Sequence, residues 1–415
     1  MTALYLYDDA QARTFEPFAS TRPVSEMVSG AVIIRERWKT AVQPTSTHFL
    51  AGPRHHDFDE GDETQAATGK VPAGSIVALS RCAPAIPDDI TNVARRAAAC
   101  SMWRSGDRLA AVRIKEDIDV SAFADGTLTL DSLTAGTGGI GNVGGWWLDE
   151  VWDFVGNLAA QLTADITTYV KQPYIKPSKL GDHVTVIGDH PIVVLNDTVI
   201  EPHVILDASA GPILINMRSH VRGFTRITGP CYIGRDVQIM GGDITGCSIG
   251  DVCKVRGELS STVFLGYANK GHDGFVGHSY LGRWVNLGAG TTTSNLKNTY
   301  GSVALWTPSG VRDSGLQFLG TLFGDHVKTG IGLRLSTGTV LGAGANVYDQ
   351  MPPKVVSPFA WGGSAPYGEY RVDKFIETAA RMMSRRHVEL SERARRHISG
   401  MYEVRWTGDA GKNNP

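Results

Sequence analysis

Two stretches of this 415-residue chain combine residue types at spacings that suggest chemistry. Gly136-Thr137-Gly138-Gly139-Ile140-Gly141 fits G-x-G-x-x-G, a spacing that can turn backbone N–H groups toward a phosphate. It lies near residue 140 and not after the first strand of a βαβ unit, which argues against a dinucleotide site; a flexible loop covering a substrate is one other reading. His55-His56-Asp57-Phe58-Asp59 offers metal-ligating imidazoles and carboxylates. With no helical spacing to aim them at one ion, a solvated charged loop is the plainer reading. Trp146, Trp147, Trp152 and Asp153 read as core and domain-contact residues before a base-stacking platform. The arginines Arg381, Arg385, Arg386, Arg393, Arg395 and Arg396 read as the solvated face of a terminal helix, with phosphate or partner contact as the other reading.

The elements that must position these groups fall into two patterns. Residues 1–172 read as a mixed α/β domain with an apolar run Ala3–Tyr7 and a helical stretch near Val24–Trp38. An amphipathic helix from about Asp149 to Val170 closes it, carrying Val151, Phe154, Val155, Leu158, Leu162, Ile166 and Val170 at three- and four-residue steps. Pro173 and Pro177 then break the helix, and the domain boundary is placed there. Over residues 173–355 the pattern becomes aliphatic-Gly pairs such as Ile233-Gly234, Ile249-Gly250 and Leu341-Gly342, with aliphatics six apart at Ile233/Ile239, Ile249/Val255, Leu281/Leu287 and Leu341/Val347. That period predicts hexapeptide repeats wound into a left-handed parallel β-helix, because a sandwich would show turn signals every eight to twelve residues. The 48 glycines, well above an average share of about 7%, supply its corners. Leu265–Asp273 and Asn295–Phe318 interrupt the repeat, and loops leaving a rigid scaffold tend to carry function. Residues 356–415 form a tail with a basic helix, Asp373–Ile398, whose apolar face is Phe375, Ala379, Met382, Met383 and Leu390.

Composition narrows the function classes. Forty Lys plus Arg against 42 Asp plus Glu leave a net charge of -2, so no global field recruits nucleic acid or an anionic membrane and any phosphate binding is local. Five cysteines without a C-x-x-C pair argue against a zinc ribbon or disulfide framework. The amino end lacks the basic region of a signal peptide, and no apolar run reaches the ~18 residues of a membrane span. A reduced, cytoplasmic location is expected.

The stretch Gly266-Tyr267-Ala268-Asn269-Lys270-Gly271-His272-Asp273-Gly274-Phe275, with Leu281-Gly282-Arg283-Trp284-Val285-Asn286-Leu287-Gly288-Ala289-Gly290 and Thr291–Asn298 after it, resembles the acetyltransferase half of the bifunctional GlmU enzymes. Thr21-Arg22-Pro23-Val24-Ser25-Glu26-Met27, Ile34-Arg35-Glu36-Arg37-Trp38 and the tail motif Gly368–Lys374 are similar to an alternate bacterial branch of that family. The resemblance implies a sugar-nucleotidyltransferase-like domain followed by an acyltransferase-like coil. Its activity would be nucleotidyl transfer from a nucleoside triphosphate to a sugar or cyclitol 1-phosphate, with acetyl transfer from acetyl-CoA as a second activity. It also implies Mg²⁺ as cofactor and a homotrimer.

By the same resemblance, His272 is the base that takes a proton from a sugar amine, a role suited to an imidazole titrating near neutrality. Asn286 and Asn295 hold the sugar and the acyl carbonyl, and Ala343 borders the coenzyme A groove. In the first domain Arg22 is the foremost phosphate ligand and Lys39 the second, with Asp8 and Asp9 as metal partners. Ser260 and Ser261 stand where the better-known branch carries paired lysines, which leaves phosphate binding in the coil to Lys270, Arg283, Lys297 or a neighbouring subunit. These departures, with the missing glycine-rich loop after the first strand, define the alternative: a non-catalytic trimeric scaffold or regulatory binder that keeps the fold.

Overall fold

In the computed structural model, which describes residues 2–61 and 64–406, the apolar run at the amino end forms β1 (Ala3–Tyr7). Leu4, Tyr5, Leu6 and Tyr7 are all buried, the run expected of a strand covered on both faces. It sits within a seven-stranded sheet with β2 (Ser46–Leu50), β3 (Gln65–Ala66), β4 (Ile76–Leu79), β5 (Cys100–Ser105), β6 (Arg108–Arg113) and β7 (Gly139–Asn142), in the order β7-β5-β6-β4-β1-β2-β3. β1 runs parallel to both β2 and β4, Leu4 facing Thr47 and Ile76, so three strands end side by side at Asp8, Ala51 and Ser80. β6 runs antiparallel to β4 and β5, which brings the turn between Ser105 and Arg108 to the same edge. Parallel α/β sheets bind ligands at the carboxyl ends of their strands.

The helices of the described residues are α1 (Ile34–Val42), α2 (Val93–Ala98), α3 (Asp153–Gly156), α4 (Leu158–Tyr169), α5 (Val372–Ser384) and α6 (Glu392–Glu403). The helical stretch expected at Val24–Trp38 is corrected: a 3₁₀ turn at Val24–Glu26 and the short strands Val28–Ser29 and Val32–Ile33 precede α1. Gly30, at φ +64°, makes the turn between strands whose β-branched residues favour extension. Trp38 of α1 is fully buried, its indole N–H donating to the Cys82 carbonyl at 2.9 Å. The helix expected over 149–170 is two, α3 and α4, meeting at Asn157, and its stripe of Phe154, Leu158, Leu162 and Ile166 is buried as the spacing predicts. The terminal helix is likewise divided. His387 stands at φ +57° between α5 and α6, and the Ser391 hydroxyl caps α6 by accepting from the Ala394 N–H at 3.0 Å.

The second half of the glycine motif, Gly139 to Gly141, lies in β7, an edge strand parallel to β5, and Gly136 to Gly138 precede it. A Cβ on Gly138 would lie 2.8 Å from the Ser101 nitrogen and one on Gly141 2.9 Å from the Trp103 ring, so these glycines serve close strand approach.

By internal contacts the chain forms two units. One runs to Val151 and takes up Thr378–Val404; the other is Trp152–Glu377 with the residues from Arg405. The helices α3 and α4 therefore count with the second unit, 20 residues or so before the boundary the prolines suggest, because their apolar stripe is covered by coil residues: Phe154 packs edge-on to Tyr280, ring centroids 5.4 Å apart.

The second unit is a parallel β-helix. One ladder stacks Ile215, Ile233, Ile249, Phe264, Leu281, Phe323, Leu341 and Val356 in register. A second stacks Val221, Ile239, Val255 and Lys270, and a third Leu206, Ile227, Ile244, Leu259 and Val276. These side chains converge on one buried core, which Lys270 enters at an aliphatic position. Corners between faces need left-handed backbone, and Gly242 at φ +117° would place a Cβ 2.2 Å from the Gly257 carbonyl of the next coil. Gly242→Ala is expected to destabilise this unit by roughly 2–5 kcal/mol, since strain and clash act together. A melting transition unchanged from wild type would rule that out.

Candidate functional site

At the carboxyl edge of the first unit's sheet, a cavity of about 620 Å³ is lined by Asp9, Arg81, Arg104, Arg108, Trp147 and Asp131 among others. That volume is ordinary for a small-molecule site. Arg81 follows Ser80 directly after β4; its Nε donates to Asp9 at 2.7 Å and its Nη1 to Asp149 at 2.6 Å. Arg108 donates from both Nη atoms to Asp149, at 2.8 and 2.9 Å, and lies 3.8 Å from the Trp147 ring centroid. Its hydrogen bonds hold the Asp149 carboxyl below the usual range, and Asp149 in turn holds the Arg108 guanidinium above its own. Three guanidiniums on one wall make a local cationic surface that matches phosphate oxygens in forked geometry. None of the three is singled out by the sequence reading. The available signal was Arg104-Ser105-Gly106-Asp107-Arg108, two arginines across a tight turn between strands.

Asp8 and Asp9, the metal partners that the resemblance implies, differ in their surroundings. Asp8 is buried, one carboxylate oxygen accepting from the Ser80 hydroxyl and the other from the Val24 N–H at 3.2 Å. Asp9 caps the Ala12 N–H at 3.0 Å and accepts from Arg81. Each Asp9 oxygen thus has one protein donor, and a carboxylate offers about four acceptor sites. Among the described residues no group of three or more His, Cys, Asp or Glu is placed to hold a metal ion. Of the two, Asp9 lines the cavity and Asp8 does not.

Burial pushes the Asp8 carboxyl up to about 7 from its ordinary 3.8. The unfolded chain ionises it near the lower value and the folded chain near the higher one, so this group's contribution to stability falls as pH rises through that interval. Asp8→Asn is expected to flatten the decline. Urea unfolding at pH 4 and pH 7 should show a smaller pH difference for the variant, and an equal difference would count against it.

Arg22 is buried, its guanidinium donating to Glu60 at 2.8 Å and lying 5.8 Å from the Phe58 ring centroid. Lys39 lies on α1, half-exposed and 3.1 Å from Glu36. Neither lines the cavity of the three arginines.

In the coil, His278 and Asn295 come together. Asn295 Nδ2 lies 2.8 Å from His278 Nδ1, and the imidazole stacks on Phe318 with centroids 5.1 Å apart. His278 stands in a coil corner at φ +46°, and burial holds its pKa below the ordinary value. Gly277 leaves the space: a Cβ there would lie 2.7 Å from the Asn295 amide. In this orientation the Asn295 amide N–H donates to Nδ1; the opposite amide orientation would present Oδ1 to an Nδ1–H and make Nε2 the proton acceptor. The sequence reading takes Gly271-His272 as its histidine and passes over the second Gly-His pair, Gly277-His278, six residues on.

His272 itself is exposed, and its carbonyl accepts from Lys270 Nζ at 2.7 Å. Lys270 is buried, its other hydrogen bond going to the Arg256 carbonyl at 2.7 Å, so its ammonium braces the loop from inside. Burial pulls that ammonium down to about 8. Asn286 accepts from Asn269 Nδ2 at 2.7 Å on a polar row continued by Lys328. Arg283 lies 4.7 Å from the Tyr267 ring centroid, Lys297 is half-buried in the loop after Asn295, and Ala343 is buried with its carbonyl accepting from Phe359 N–H at 2.9 Å.

Comparison with known proteins agrees with the resemblance read from the sequence. Residues 4–172 match the family model of a sugar nucleotidyl transferase. A bifunctional sugar-1-phosphate nucleotidylyltransferase/acetyltransferase of Sulfurisphaera tokodaii is 33% identical over 91 residues, 22% of this chain and 23% of its own length. The bifunctional protein GlmU of Prochlorococcus marinus is 26% identical over 185 residues, 43% of this chain and 30% of its own. The matched segments thus span a third or less of either relative, and the first of them is named as a transferase.

Proposed function

We propose that the first unit transfers a nucleotidyl group from a nucleoside triphosphate to a sugar or cyclitol 1-phosphate. The observation that carries this reading is the cavity with Arg81, Arg104 and Arg108 on its wall at the strand ends, in a unit that matches sugar nucleotidyl transferases. A phosphate oxygen of the sugar attacks the α-phosphorus in line, the bond to the bridging oxygen breaks, and pyrophosphate leaves. Such a transfer needs positioning and charge neutralisation more than a covalent nucleophile. Phosphate oxygens entering the cavity compete with Asp149 for Arg81 and Arg108. Mg²⁺ is supplied with the nucleotide, and no step is assigned to an Asp8–Asp9 clamp.

The His278–Asn295 pair supports a second activity in the coil, acetyl transfer from acetyl-CoA to a sugar amine. The nitrogen attacks the thioester carbonyl, its proton passes to His278, and the thiol of coenzyme A leaves. Asn286 and Lys270 would hold the substrate loop, and Ala343 would border the acyl-donor groove. A left-handed coil, a homotrimer and a cytoplasmic location belong to the same proposal, whereas the structure adds only that no helix among the described residues is long and apolar enough to cross a membrane.

The test is a pyrophosphate-release screen that crosses nucleoside triphosphates with sugar and cyclitol 1-phosphates in the presence of Mg²⁺, with thiol release from acetyl-CoA measured in parallel. Turnover with one pair names the substrates. Silence in both arms would favour a non-catalytic scaffold that retains the fold.

A further inference from the structure

The segment His55–Asp59, a possible metal motif by composition, receives the last helix of the chain. α6 lies in the first unit with it. The Ser391 hydroxyl donates to Asp59 at 2.5 Å, Arg396 donates to Asp57 from Nε at 3.3 Å and Nη2 at 3.1 Å, and Arg393 reaches the His56 carbonyl at 3.3 Å. These contacts lie toward the surface. The buried one is His397, whose Nε2 is 2.7 Å from the Thr21 carbonyl while its ring packs edge-on to Phe58 at 5.6 Å and tilted against His55 at 5.7 Å. His55 makes the matching contact, Nε2 to the Ala19 carbonyl at 3.0 Å. Two imidazoles thus grip one segment, 19–21, from two elements.

That segment leads straight to the cavity. Arg22 follows Thr21, and Val24 donates its N–H to Asp8 at 3.2 Å. Asp8 also accepts from Ser80, whose neighbours along the chain and through Asp8 are the cavity residues Arg81 and Asp9. A displaced Thr21 would shift the Val24 N–H and leave a buried carboxylate short of a donor, which is costly.

We infer that His397 is a positioning residue of the first unit's site, holding residues 19–24 through the Thr21 carbonyl and so the Asp8–Ser80–Arg81 edge of the cavity. The inference rests on the nucleotidyl-transfer reading for its catalytic consequence, not for the holding itself. Supporting partners one shell out from a site commonly matter ten- to a hundredfold.

The test uses the full chain with His397→Leu, which removes the N–H donor, and His397→Gln, which keeps one. Hydrogen exchange is followed at the amides of residues 19–27, together with kcat and KM for pyrophosphate release. His397→Leu is expected to lose exchange protection over those residues and about tenfold or more in kcat/KM, and His397→Gln to restore both to within about threefold of wild type. Exchange protection of the first unit's central strands β1 and β4 should be unchanged in either variant, which separates loss of the contact from failure of that unit to fold. Unaltered protection in His397→Leu overturns the inference, as does lost protection with full activity. If wild type releases no pyrophosphate with any pair, the reading of the cavity fails. The exchange arm then still decides whether His397 holds the segment.

Discussion

Arg108→Ala is expected to lower kcat/KM for pyrophosphate release about a hundredfold, equivalent to roughly 3 kcal/mol of transition-state stabilisation. Its guanidinium is partly exposed, held over Trp147 and forked onto Asp149, so it can turn from that carboxylate to a phosphate. Loss of so exposed an ion pair should cost the fold little, within about 1 kcal/mol. Arg108→Lys keeps the charge but not the fork, and an intermediate loss is expected. An alanine variant with unchanged kcat/KM and unchanged melting would place the nucleotide elsewhere, and Arg22 with Glu60 would become the next place to look.

The second large effect belongs to the coil. His278→Ala is expected to reduce thiol release from acetyl-CoA by roughly 10²–10⁴-fold, the range of a lost general base. His272→Ala should cost far less, because that ring is exposed and Asn295 pairs with His278. Burial lowers the pKa of His278, so its neutral, proton-accepting form persists into more acid solution than an ordinary histidine's. The acid limb of the rate profile should therefore fall below pH 6.5 and flatten above it. A larger loss in His272→Ala than in His278→Ala would reverse the assignment.

The coil was legible because a six-residue period writes each inward aliphatic into the sequence, and Ile233, Ile239, Ile249 and Val255 all land in the core. Lys270 was read as a phosphate ligand because its charge hides its place: register alone puts it above Val255, inside. His272 was chosen by resemblance to a family motif, and the contact between His278 and Asn295, 17 residues apart, is visible only once the coils are stacked. In the first unit, β1 could be read from its apolar run, but the cavity could not. Arg81, Arg104 and Arg108 come from three strand ends, and only the pairing of β4 and β5 with β6 makes them neighbours. Asp8 shows the limit from the other side: a carboxylate at a strand end invites a metal, and only the donors from Ser80 and Val24 reveal that its oxygens are occupied.

The seating of α6 on the first unit has a consequence for biosynthesis. Ribosomes deliver the chain from its amino end, yet Thr21 meets His397 only after some 370 intervening residues have been made. The opening sheet must wait, with the face around Phe58 uncovered, while the whole coil is translated, a long interval in which exposed apolar surface invites aggregation. Nascent chains arrested before residue 390 should accordingly be protease-sensitive over residues 15–60 and become resistant once α6 has left the exit tunnel. An expression fragment ending near residue 172, where the prolines invite a cut, would be released in that waiting state.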